Sequence, residues 1–223
     1  MQPVFFITGT DTGVGKTVLG ALLTQYLRRR GIKVAALKPV CSGGRADARI
    51  LQSALANRLT LDEINPWHFQ APLAPLLAAR REGRRVRRAE VRAHIRKMQY
   101  RFDVVLVEGA GGLLSPLGED FNSRDLIAAL HAKPIIVAQS RLGVLNQLLL
   151  TLEALPGRSR KAAKIVLMSP PKPDLASASN ARLLRELLPP DKILTVPWMQ
   201  KRLSPTERLA IPAVQRALAK IMD

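Results

Sequence analysis

Nine residues constrain this chain more than any others: Gly9-Thr-Asp-Thr-Gly-Val-Gly-Lys-Thr17. They follow the apolar run Val4-Phe-Phe-Ile-Thr8, which reads as a buried parallel strand. After them, from Lys16 to Arg30, Val18, Leu19, Leu22, Leu23, Tyr26 and Leu27 recur at helical spacing. Three arginines and Gly31 mark the end of that helix. A glycine-rich turn between a strand and a helix aims its backbone N–H groups at one point, where the helix dipole is positive, and so cradles phosphate. Gly13 and Gly15 let the backbone approach the oxygens closely. Lys16 brings a point charge to the outer phosphates, and the Thr17 hydroxyl can ligate Mg²⁺. Five residues, not the usual four, separate Gly9 from Gly15. The general pattern would require glycine where Thr10 stands.

The strand–helix alternation continues. Lys33–Lys38 reads as a strand and Ala46–Ala56 as a helix, and Asp62–Pro75, with its prolines, as irregular. Arg88–Tyr100 reads as a helix with a basic outer face, and Asp103–Val107 as a strand ending in the loop Glu108–Gly112. Helix Ser123–Leu130, strand Pro134–Ala138 and a helix from Val144 to Leu155 follow. Strand Lys164–Met168, helix Ala176–Leu188 and strand Ile193–Val196 complete the pattern. Roughly six strands alternating with helices predict a doubly wound α/β fold of the P-loop NTPase type. Its sheet should be mostly parallel, with helices on both faces. The 223 residues should form one domain, 1–223.

A nucleoside triphosphate with Mg²⁺ needs further oxygen ligands, and such folds supply them at the carboxyl ends of strands. Glu108 directly follows an apolar strand, and the glycines beside it leave room for a ligand. Asp47 begins a helix, where it can serve the dipole or the metal. Lys38 closes the second strand at the same sheet edge, followed by Pro39-Val-Cys-Ser-Gly43, so it can neutralise a reacting anion with Ser42 as a hydrogen-bonding partner. These residues point to phosphoryl chemistry driven by positioning and charge neutralisation.

Composition narrows the setting. No apolar run approaches the roughly 20 residues of a membrane span, and the start lacks a basic segment before its apolar run, so a cytoplasmic protein is expected. The single cysteine, Cys41, reads as a small packed residue. The formal charge is +18, and Arg80–Arg101 alone holds ten basic and two acidic residues. Such a face attracts polyanions. Aromatic residues make up only 4% of the chain, too few for a single-strand stacking platform, and this argues against nucleic acid as a partner.

The chain resembles the dethiobiotin synthetases. The resemblance is carried by Gly9–Thr17, Lys38-Pro-Val-Cys-Ser-Gly43, Asn65-Pro66 to Pro75, Val107-Glu-Gly-Ala-Gly-Gly112, Leu142-Gly-Val-Leu-Asn146 and Val196-Pro-Trp198. The blocks occur in family order, and the five-residue loop spacing is the family's own form. The resemblance implies ATP-dependent ring closure of 7,8-diaminononanoate with CO₂, through a carbamate and a carbamic–phosphoric anhydride. It implies that Lys16, Lys38 and Thr12 are catalytic, and that Thr17, Asp47 and Glu108 hold Mg²⁺. The nucleotide would contact Gly13, Val14, Gly15, Lys16, Thr17, Val18, Glu108, Gly109, Ala110, Gly111, Pro197, Trp198 and Met199. The diamine would contact Ser42, Arg141, Leu142, Gly143 and Asn146, part of them from the partner of a homodimer. Where family members usually carry Asn-Asp to read adenine, this chain has Met168-Ser169, which implies a relaxed choice of base.

The competing reading is a switch ATPase of the positioning and partition type, using the basic face to bind DNA. Such proteins usually carry a second lysine early in the phosphate loop. Thr10, Asp11 and Thr12 offer none, and Lys38-Pro39 favours the synthetase.

Overall fold

In the computed structural model, which describes residues 2–200 and 202–223, six strands form one parallel sheet. In chain order they are β1 (Val4–Gly9), β2 (Val34–Leu37), β3 (Val104–Glu108), β4 (Lys133–Gln139), β5 (Lys164–Met168) and β6 (Ile193–Val196). Their spatial order is β6-β5-β4-β1-β3-β2, with every pairing parallel. All residues of β1, β2 and β3 are buried. A strand buried at consecutive positions is covered on both faces, so the continuous apolar runs of the sequence correspond to a sheet between helical layers.

Helix α1 (Lys16–Arg29) buries Leu19, Leu22, Leu23 and Leu27 of the stripe its spacing predicts, while Tyr26 is half-buried and Val18 is exposed at the cleft. It stops because Gly31, at φ 76°, turns the chain left-handed. The Gly31 N–H then reaches the Arg28 carbonyl, and the Ile32 N–H reaches that of Leu27. Helix α2 (Ala46–Ala54) carries Asp47 in its first turn. Helix Ser123–Leu130 is opened by a reciprocal cap between Asn122 and Asp125.

Several segments differ from the sequence expectation, among them a short helix, Gly157–Ala162, and an antiparallel pair, Pro116–Gly118 with Phe121–Asn122, neither of which that expectation contains. Asp62–Pro75 is not irregular throughout. Thr60 and Glu63 cap a helical turn, Leu61–Ile64, and Trp67–His68 pairs in parallel with Val40–Cys41. Proline, which suggested a loop, opens helix Pro75–Arg81 because the first helical N–H needs no partner. Beyond β6, helices Pro205–Ala210 and Pro212–Met222 were not anticipated. The second returns Val214, Leu218 and Ile221 to the core.

Phe6 lies in the central strand with 0% exposure. Replacing it by alanine should lower the unfolding free energy by about 3–5 kcal/mol, read as a shift of the urea midpoint at unchanged slope.

Candidate active site

The carboxyl ends of β1, β2 and β3 surround a cleft of about 730 Å³. Its floor is the glycine-rich turn. Gly13 and Gly15 have φ of 74° and 102°, values that side chains resist. A Cβ on Gly15 would also stand 3.1 Å from Cγ of Met168. The turn therefore needs glycine both for its dihedral angles and for the thioether packed against it. Opposite, a Cβ on Gly112 would lie 3.3 Å from the Thr10 carbonyl oxygen, so the glycines after Glu108 let the two loops approach. Ser115 braces that second loop by accepting the Gly112 N–H.

Four ionisable side chains meet at the head of α1. Lys38, one residue beyond β2, is 4% exposed and donates to Glu108 Oε1 at 2.5 Å. The same ammonium lies 3.0 Å from Asp47 Oδ2. The Thr17 hydroxyl donates to Glu108 Oε1 at 2.7 Å. Lys16 donates to the Asp11 carbonyl at 2.7 Å, within its own loop.

The two lysines are tuned in opposite directions. Burial alone would lower the Lys38 ammonium, but Glu108 and Asp47 more than offset it and raise its pKa above the ordinary lysine value. Lys16 has no carboxylate in direct contact. Burial, reinforced by the charge of Lys38, lowers it from 10.5 to about 8. Burial would raise Asp47, yet the charge of Lys38 and its hydrogen bond hold the carboxyl below the usual range.

Thr12, Gly13, Gly15, Lys16, Thr17 and Val18 line the cleft, with Lys38, Ser42, Asp47, Glu108, Ala110 and Gly111. Val14 and Gly109 sit behind it, Val14 against Gly9 and Gly109 against Ser123 and Phe6. Ser42 donates to the Leu73 carbonyl and thereby ties the Lys38–Gly43 turn to the opposite wall. Arg141, Leu142, Gly143 and Asn146 stand exposed at the head of helix Val144–Glu153, outside this cleft. Pro197, Trp198 and Met199 follow β6, also outside it, with Trp198 45% exposed. Cys41 is buried among Gly44 and Asn65, as a packed residue would be. The wall Pro72-Leu73-Ala74-Pro75 and Ser115 carried no chemical signal in the sequence.

The donor set suits a hard divalent cation. Two carboxylates and a hydroxyl share partners within hydrogen-bond reach, and Asp47 is held ionised. Glu108 Oε2 is buried without a hydrogen-bond partner.

This site on this sheet defines a P-loop NTPase. Similar solved folds include a ParA family ATPase from Chlorobium tepidum (TM-score 0.56, 15% identity, covering 100% of this chain and 92% of that one). Another is the MinC:MinD cell division complex of Aquifex aeolicus (TM-score 0.61, 15% identity, covering 99% and 94%). A family model described as AAA domain matches residues 4–206. The ATP-dependent dethiobiotin synthetase BioD of Anaeromyxobacter dehalogenans is 41% identical over 198 residues, covering 86% of this chain and 89% of that protein. The enzymes of the same name from Bacillus licheniformis and Methanocaldococcus jannaschii are 42% and 36% identical. They are covered over 65% and 78% of their lengths, and cover 66% and 74% of this chain. The chain belongs to the dethiobiotin synthetase family.

The lysine pair predicts opposite effects on stability. A fall from 10.5 to about 8 for Lys16 corresponds to about 3 kcal/mol held against folding at pH 7. Between those values the unfolded chain binds a proton that the folded protein does not, so stability rises with pH there. Lys16→Met should therefore be more stable than wild type at pH 7, by up to about 3 kcal/mol, with the gap closing between pH 8 and 10.5. Lys38→Ala leaves Glu108 buried without its ion-pair partner and should cost about 3–5 kcal/mol. Paired denaturation curves across pH check both.

Proposed function

We propose that this protein is an ATP-dependent ligase that closes a cyclic urea on 7,8-diaminononanoate. The observation that carries the reading is the convergence of Lys16 and Lys38 on one cleft with Thr17, Asp47 and Glu108. The reaction must bring two anions to bonding distance: a carbamate oxygen and the terminal phosphorus of ATP. Cationic neutralisation and positioning therefore dominate the barrier.

Carbon dioxide adds to one amine of the substrate, giving a carbamate. A carbamate oxygen attacks the γ-phosphorus, ADP leaves, and a carbamic–phosphoric anhydride forms. The second amine attacks its carbonyl carbon and expels phosphate, which closes the ring. The backbone from Gly13 to Val18 wraps the triphosphate. Lys16 carries charge to the terminal phosphate, and Lys38 faces the carbamate. Thr12, exposed at the loop tip, is placed to donate to the transferring oxygens. Ser42 and the apolar wall Pro72–Pro75 receive the diamine chain.

Mg²⁺ would be held by Thr17, Asp47 and Glu108, and when bound it neutralises phosphate charge. Glu108, Gly109, Ala110 and Gly111 flank the nucleotide, and Pro197, Trp198 and Met199 lie towards its base. Met168 beside Gly15 offers the base an apolar contact instead of an amide.

The protein acts as one α/β domain in a cytoplasmic homodimer. Arg141, Leu142, Gly143 and Asn146, outside their own cleft, then reach the substrate of the partner. Leu142 and Leu150 at 82% and 62% exposure, and Leu175 at 92%, support such a paired surface. No described helix is long and apolar enough to cross a membrane.

Purified protein with diamine, bicarbonate, Mg²⁺ and ATP should form the cyclic urea. Replacing ATP by CTP or GTP should keep kcat/KM within about tenfold; a strict ATP requirement counts against Met168 as a permissive wall. An anion on Lys16 favours its charged form. Above pH 8, then, nucleotide binding takes up a proton, and affinity should fall by up to about tenfold per pH unit. Calorimetry in buffers of different ionisation enthalpy measures that uptake.

A further inference from the structure

Asn65 lies outside the cleft lining and has no role in the chemistry above. The residue is 0% exposed, and both ends of its side-chain amide are engaged. Its Nδ2 donates to the Lys38 carbonyl at 2.6 Å. A carbonyl can only accept, so this contact sets the orientation of the amide. The other end, Oδ1, accepts from Cys41 Sγ at 3.2 Å. On the other side of the same residue, the Lys38 N–H donates to the Ile64 carbonyl at 3.0 Å. The backbone of Lys38, already past the last paired residue of β2, is thus gripped at both its N–H and its C=O by residues 64 and 65.

A second link leads to Asp47. The Asn65 carbonyl accepts from Arg45 Nη2 at 3.1 Å. Arg45 is the residue on which α2 begins, and it pairs with Asp62 at 2.8 Å. Asp47 follows two residues later. One buried residue therefore anchors both segments that bring the Lys38 ammonium and the Asp47 carboxylate to 3.0 Å.

We propose that Asn65 is a positioning residue for catalysis, locking the Lys38 turn to the head of α2 so that the ammonium and carboxylate keep their register in the cleft. This rests on the ring-closing reading above. If Asn65 served packing alone, an isostere lacking the donor would suffice. If it positions Lys38, the Nδ2–H donor is indispensable. The nucleotide cradle Gly13–Val18 has no bond to Asn65, so nucleotide affinity separates the two roles.

The experiment compares wild type, Asn65→Ala and Asn65→Leu in steady-state ring closure with diamine, bicarbonate, Mg²⁺ and ATP. Binding of a fluorescent ATP analogue is measured in parallel without diamine and without Mg²⁺. Leucine keeps the volume and adds no charge but lacks the donor. Both variants should lose about 10- to 100-fold in kcat, the scale of a sub-ångström to ångström misplacement. The analogue Kd measured without Mg²⁺ should stay within twofold. Wild-type kcat in Asn65→Leu overturns the proposal, as does a loss of metal-free nucleotide affinity in both variants that matches the loss in kcat. Failure of both to fold also overturns it, since Asn65 would then be a residue of the fold alone. If wild type itself forms no cyclic urea, the ring-closing reading fails instead.

Discussion

The ion pair between Lys38 and Glu108 is where fold and chemistry meet. Two opposite charges lie almost without solvent at the sheet edge, and such a pair is tolerated only where its geometry is good and further hydrogen bonds complete it. Register supplies that geometry. Leu37 of β2 pairs with Val107 of β3, so the next residues along, Lys38 and Glu108, stand level and on the same side. Ile7 of β1 pairs with Glu108 itself, which brings the glutamate beside the strand that leads into the phosphate cradle and Thr17. A slip of one residue would turn Lys38 and Glu108 to opposite faces and part the charges. The pairing of Leu37 with Val107 and of Ile7 with Glu108 therefore sets the position of the charged groups.

Lys16 shows the opposite arrangement. It is buried without a carboxylate contact, bonded to a carbonyl of its own loop, and repelled by Lys38. A charge kept in that state lowers stability and creates a strong preference for an anion. An arrangement that breaks the rule of pairing buried charges is expected where function, rather than folding, selected the residue. The two lysines therefore differ in kind: Lys38 organises the carboxylates through a satisfied network, and Lys16 remains under-satisfied.

The central sheet and most of its helices were legible because their signals are local. Val4–Thr8 is a continuous apolar run, α1 repeats apolar residues at helical spacing, and the cradle glycines sit between the two. The features that escaped notice depend on capping or on distant partners. Ser204 and Glu207 form a reciprocal cap that announces helix Pro205–Ala210, a pattern present in the sequence but without a long apolar repeat behind it. The pairing of Val40–Cys41 with Trp67–His68 joins residues far apart in sequence through two-residue strands, too short for any periodicity. Lys38, Asp47, Glu108 and Thr17 were legible as types at strand and helix ends, but not as a connected network. Asn65 left no chemical trace, because its importance lies in the carbonyl it holds.

The cleft is built by two different physical means. Its phosphate half is fixed by β-register and by backbone that only glycine adopts, so few substitutions there are compatible with the fold. Its other half rests on the turn after Lys38 and on the wall Pro72–Pro75. Those parts are joined by side-chain contacts such as Ser42 to Leu73 and Asn65 to Lys38, which a single mutation can remove without disturbing the sheet. Ligand preference is therefore expected to change in this half first. Met168 packs at the seam between the halves, against Gly15, so a larger side chain there would press on the glycine-rich turn itself.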